Sequence, residues 1–276
     1  MAQILVPFDF SPNALIALDQ ALIIARTNGA EIEVLHITNE DLAKDYPQTW
    51  AHTTGQLAAL TQKIEGTIEQ RKTYLQSEDV KVSPVVRPGN VVSDVILQRA
   101  KESGVIIIVM GTHGITGLRD RLLGTISSSL INRSDFPVLV IPTHWEAQPL
   151  RYALVATDLK ELPDIIPSVK DLAAFFQAEP RAVQLSGIPE VHEEFEGVHA
   201  IGGIPVTLVR SDILNTLAEN LREYTKNLKE TVLIMHVHQR KLFEKIFDGS
   251  KTERTARIIE IPLLSVRKDA ATNEVL

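Results

Sequence analysis

Residues 105–110, VIIIVM, are apolar without a break, and the run stops abruptly at Gly111. With no polar alternation, it reads as a strand buried on both faces, as in a parallel sheet. Further strands are read at 3–8, Glu31–Thr38 and Val138–Ile141, and at 80–86, where Pro84 argues for a place near an edge. Between them the period changes. Ala14, Leu15, Leu18, Ala21, Leu22 and Ala25 form a helical stripe that Ser11 can cap, that Pro12 opens and that Gly29 stops. Residues 39–53, with Tyr46 and Trp50, read as a loop, and 57–76 as a long polar-faced helix. Residues 87–90 read as a turn, with Asn90 capping a helix that ends by Gly104, and Gly124-Thr125 opens the next helix. Strand and helix alternate, so the expected class is α/β with a doubly wound, five-stranded parallel sheet in the order 3-2-1-4-5.

After a short linker, 142–149, the pattern restarts. Residues 152–158, ending in Asp158, echo 4–9, ending in Asp9, and 231–235 echo 106–110. From 235 to 262 the second copy aligns with the first without a gap, bringing Gly249-Ser250 onto Gly124-Thr125. Such self-similarity marks an internal repeat. Two tandem domains are expected, 1–142 and 150–276, the second shorter because it lacks most of 39–76. The last strand of each copy, Val138–Ile141 and 263–266, would expose an unpaired edge if left alone. An intramolecular pseudo-dimer that pairs these two strands hides both.

The length of 276 residues gives each copy enough chain for a core of its own. The net charge of −7, with no Lys/Arg stripe, argues against nucleic acid or an anionic membrane as partner. The absence of cysteine excludes disulfides, thiol catalysis and thiolate metal sites. Strand-like residues from Gln3 leave no room ahead of them for a signal peptide, and no apolar run approaches the roughly 20 residues of a membrane helix. A cytoplasmic location is therefore expected.

The chemistry gathers after the fourth strand. Glycines there let backbone N–H groups approach a ligand that a Cβ would block, and a helix N-terminus favours an anion. Strand, glycine loop and helix start together describe a phosphate site. Asp9, at the end of strand one, lies across the switch point from Met110-Gly111, where it could accept from a ribose hydroxyl or an adenine amine. It could equally be a carboxylate favoured by the helix dipole. The spacing G-x2-G-x9-G-[ST], carried by Gly111, Gly114, Gly124 and Thr125, resembles the nucleotide-binding signature of the universal stress proteins, as do the Gly-Thr-His-Gly start and the Pro-Val-Leu-Val end. That resemblance implies an adenosine pocket lined by Pro7, Asp9, Ile37 and Met110. It also implies ribose and phosphates held by Gly111, Gly114, Gly124 and Thr125, with His113 and Ile126 alongside; His113 is assigned to loop structure and not to catalysis. The implied ligand is ATP, or AMP or ADP, with Mg2+ accompanying the phosphates although no dedicated side-chain ligands for it stand out. Ile106 departs from the acidic residue the family often places there, far from the proposed phosphates.

In the second copy Gly111 and Gly114 become His236 and Gln239, whose side chains should fill the space a nucleotide needs. One nucleotide per chain is expected, in the first copy. Gly249-Ser-Lys-Thr252 is not a P-loop, no G-x-S-x-G elbow exists, and His236-x-His238 lacks a third metal ligand by spacing. The acidic stretch 190–196, with His192, reads as a solvated face. The leading function is an adenine-nucleotide-binding stress-response regulator that signals to a protein partner, with at most weak ATP hydrolysis. The alternatives are an ATP-using enzyme of the adenine-nucleotide α-hydrolase-like group and a ligand-free interaction scaffold. Pairing of whole chains into a homodimer is left open.

Overall fold

The structure is a computed structural model that describes residues 2–38, 50–112, 124–157, 159–186, 199–210, 217–236 and 260–266. Its first half runs β1 Gln3–Pro7, α1 Pro12–Asn28, β2 Glu31–Thr38, α2 Trp50–Leu75, β3 Val82–Pro88, α3 Val92–Ser103, β4 Val105–Gly111, α4 Thr125–Arg133 and β5 Val138–Ile141. The strands are parallel in the order β3-β2-β1-β4-β5. The chain therefore crosses in one direction from β1 to β3 and in the other from β3 to β5. With right-handed crossovers this puts α1 and α2 on one face and α3 and α4 on the other. It also opens a crevice beyond the ends of β1 and β4.

The second half runs β6 Tyr152–Ala156, α5 Leu162–Phe175, β7 Glu179–Ser186, β8 Ala200–Ile201, β9 Ile204–Arg210, α6 Leu217–Thr225, β10 Thr231–His236 and β11 Leu263–Val266. Its order, β11-β10-β6-β7-β9-β8, repeats the first half with one short strand added at the edge. The two halves join into one eleven-stranded sheet through β5 and β11, which run antiparallel with Leu139 opposite Leu264. All four residues of each strand are buried, so the edge pairing inferred from their apolar character is the joint that holds the halves together.

Local chemistry explains most element ends. The Ser11 hydroxyl accepts from Ala14 N at 3.1 Å at the start of α1, and Gly29 closes it in the left-handed region at φ 74°. Three expectations need correction. Trp50 opens α2 and does not sit in a loop; residues 39–49 and Tyr46 lie outside the described residues. β3 starts two residues late and runs on through Pro88, which an outermost strand tolerates because one row of its N–H groups has no partner to serve. The cap position of α3 falls to Val91, with no side-chain cap hydrogen bond, and not to Asn90.

α1 is buried on more than one side. Asp19 pairs with Arg71 of α2, Nε to Oδ1 at 2.6 Å. Gln20, fully buried, holds the linker: its Oε1 accepts from Trp145 Nε1 at 2.7 Å and Gln148 N at 3.3 Å, and its Nε2 donates to Gln148 O at 3.0 Å. The same helix reaches the second half, where Asn28 Nδ2 donates to Phe175 O and Thr27 O accepts from Gln177 Nε2. α2 has no described counterpart there. Instead the β8–β9 turn, Gly202-Gly203, with φ of 57° and 83°, packs against α5 at Ile166.

Candidate functional site at the ends of β1, β2 and β4

The strand register brings the residues expected to line an adenosine pocket to one end of the sheet. Pro7 is opposite Leu35 in the β1–β2 pair, which sets Asp9 beside the end of β2, where Ile37 lies; Leu5 is opposite Ile108, which carries β4 on to Met110 and Gly111. Met110 is buried at 7 % exposure, and Pro7, Asp9 and Ile37 are half-buried. Asp9 Oδ1 accepts from Ser11 N at 3.0 Å, tightening the loop into α1. Between them Phe10 adopts φ 63°, a conformation that is costly for a bulky residue and is held here by its neighbours. Its ring packs edge-on to Phe8 at 5.0 Å and against His36 at 5.2 Å, and Lys63 Nζ from α2 lies 4.2 Å from its centroid. His36 Nδ1 is 2.7 Å from Phe8 O and must be the donor, since a carbonyl only accepts.

The described residues expected to hold phosphates, Gly111, Gly124 and Thr125, lie around the end of β4 and the start of α4. Gly124 N donates to Thr112 O at 2.8 Å, so that N–H is already engaged in the fold. The buried Ser127 hydroxyl lies 3.2 Å from both Gly111 O and Thr112 O, its one proton shared between them, pinning α4 to β4; nothing in the TISSSL sequence singles this serine out. The groups left for an anion are the N–H groups of Thr125, Ile126 and Ser127 in the first turn, which have no partner within the helix. Gly124 caps α4 with no side-chain cap hydrogen bond, unlike Ser11 on α1. Thr125 is exposed and Ile126 half-buried at this end. His113 and Gly114 lie outside the described residues.

Gly111 has a different task from the one its place in the motif suggests. A Cβ there would lie 2.7 Å from Asn13 O and 2.8 Å from Asn13 Cβ. Its lack of a side chain lets the first turn of α1 press against β4, so it is a helix–strand packing glycine as well as a neighbour of the crevice. Among the described residues no group of three or more His, Asp or Glu is placed to hold a metal ion. No described helix is long and apolar enough to cross a membrane.

The second half places His236 in the register of Gly111: Gly111 pairs with Ile141, and His236 with Val266. Likewise Leu154 is opposite Leu233 as Leu5 is opposite Ile108, and counting on from the strands aligns Leu162 in sequence with Asn13. Leu162 is fully buried, and α5 begins with it, one residue later than α1 begins relative to its own strand. Gln184, the counterpart of His36, is buried and accepts from Leu159 N at 3.2 Å. Asp158, His238, Gln239, Gly249, Ser250 and 190–196 lie outside the described residues.

A doubly wound half-sheet in the order 3-2-1-4-5, with its crevice at the β1–β4 switch point, defines a Rossmann-type α/β fold. The model of the Universal stress protein family matches residues 1–142, just over half of the chain. The chain belongs to the universal stress protein family. It is similar to Universal stress protein MJ0577 of Methanocaldococcus jannaschii, 30 % identical over 152 residues, covering 50 % of this chain and 93 % of the relative. Universal stress protein Mb2028c of Mycobacterium bovis is 26 % identical over 229 residues, covering 78 % of this chain and 73 % of the relative. Among solved structures, a universal stress protein from Archaeoglobus fulgidus matches in fold with a TM-score of 0.68 at 16 % identity, covering 96 % of this chain and 98 % of its own.

Proposed function

We propose that the first half is an ATP-binding regulatory module and that the second, residues 150–276, is a degenerate copy that serves the assembly and not the ligand. The observation that carries the reading is the start of α4. It lies at the end of β4 with its first-turn N–H groups unused within the helix and no side-chain cap, on the crevice that Asp9, Ile37 and Met110 share. Oriented N–H groups and the helix dipole there suit phosphate oxygens. Pro7, Ile37 and Met110 offer apolar surface to the adenine, and Asp9 a carboxylate to the ribose side. Mg2+ would travel with the phosphates and keep most of its own water ligands. We favour binding and signalling to a protein partner over turnover. A protein without cysteine suits the reducing cytoplasm.

Gly114→Val tests the site. Calorimetry should show ATP binding to the wild type and its loss in the variant, with unfolding by urea unchanged. Unchanged affinity in Gly114→Val would remove the glycine segment from the site.

A further inference from the structure

Asn13 occupies the first turn of α1, against the backbone of Gly111, where β1 and β4 part. Its Oδ1 is buried and has no hydrogen-bond partner. Leaving an amide carbonyl dry and unpaired is unfavourable, and a native fold rarely keeps one without a use. Three other described polar side chains at this end have partners: Ser11 caps α1, Ser127 reaches the carbonyls of Gly111 and Thr112, and His36 donates to Phe8 O. The repeat supplies an independent comparison. The copy with Gly111 has Asn13 beside it, whereas in the copy with His236 the residue aligned with Asn13 in sequence is the buried, apolar Leu162. Between these two copies the polar residue and the glycine change together.

We infer that Asn13 is a specificity-determining residue of the nucleotide site, its Oδ1 accepting a hydrogen bond from a ribose hydroxyl. The inference rests on the ATP-binding reading above. An amide oxygen only accepts, so its partner must carry a proton. Phosphate oxygens at neutral pH do not, while the ribose 2′ and 3′ hydroxyls do, and the ribose joins the adenine on the β1–β2 side to the phosphates at α4. A site built to pair with a hydroxyl rejects the analogue that lacks it, because its own buried acceptor is then stranded.

The test is calorimetric titration of ATP, 2′-deoxy-ATP and 3′-deoxy-ATP into the wild type, Asn13→Leu and Asn13→Ala, with urea unfolding of each to confirm the fold. The wild type should prefer ATP over at least one deoxy analogue. Asn13→Leu, which gives the first copy the residue of the second, should weaken ATP about tenfold and bind all three nucleotides alike. A purely packing role would lower affinity for all three equally and keep the discrimination, which overturns the inference, as would unchanged affinity in both variants. A wild type that binds ATP and both deoxy nucleotides equally also overturns it, with the ATP-binding reading intact. A wild type that binds none of them removes that reading too. If Asn13→Leu and Asn13→Ala do not fold, Asn13→Asp, which keeps the acceptor, should retain the discrimination, and its loss there counts against the assignment.

Discussion

Leu139 of β5 stands directly opposite Leu264 of β11, and the two are counterparts in the repeat. Leu139 pairs on its other side with Val109, and Leu264 with Ile234, so each leucine occupies the same register in its own half-sheet. A local two-fold axis therefore passes between them, and both side chains are fully buried. Leu139→Ala and Leu264→Ala should each lower stability by about 3 kcal/mol in urea titrations. The double variant should cost less than the sum, because the two residues share one space. Strict additivity would mean that the leucines do not pack as a pair.

Gly111→Ala separates packing from ligand binding. The added methyl meets the backbone of Asn13, which cannot swing aside as a side chain tip would. A loss of about 2 kcal/mol is expected without any nucleotide present, read by chemical denaturation. A fully stable Gly111→Ala protein would show that α1 can retreat from β4 at little cost.

The Asp19–Arg71 pair gives a pH signature. Burial is the largest influence on Asp19 and raises its pKa above the ordinary 3.8, against the opposing pull of Arg71. The folded state then holds a proton more tightly than the unfolded one, so Asp19 favours folding at acid pH, and that contribution is lost as pH rises through its folded pKa. Arg71→Ala removes the opposing charge and pushes the folded pKa further up. The variant should lose about 2 kcal/mol at neutral pH, allowing for Arg71 being 28 % exposed, and regain much of it towards pH 4. A deficit that does not change with pH would show that the pair acts by packing alone.

Gln20→Leu tests the linker latch. It strands the indole N–H of Trp145 and the backbone N–H and C=O of Gln148. Stability should fall by about 2 kcal/mol, and proteolysis should speed up between 142 and 149. Unchanged cleavage would mean that the linker is held by other contacts.

Two-face burial writes itself as an unbroken apolar run in Val138–Ile141, and this strand, Glu31–Thr38 and β11 begin and end where the sequence reading places them. Their edge pairing followed from the same apolarity. The start of α2 was not legible, since 50–56, WAHTTGQ, shows no helical apolar stripe and includes Gly55. The β8–β9 hairpin has a recognisable two-residue Gly-Gly turn in IGGI but no counterpart in the first copy, so the repeat does not predict it. At the candidate site the glycine spacing points to the end of the sheet where β1 and β4 part. It could not reveal that Gly111 serves the contact with α1, that the Gly124 N–H is spent on Thr112, or that Asn13 carries an unpaired acceptor. Those are facts of packing between segments distant in sequence, with no local signature.

The central claim is that one half of this chain holds the nucleotide and the other does not. Equilibrium dialysis of the full chain against labelled ATP measures it directly. Saturation near one ATP per chain is the expected result, with His236 standing in the register of Gly111 and Leu162 aligned in sequence with Asn13 in the second half. Saturation near two would show that the second copy binds despite those changes, and no saturable binding would contradict the account altogether.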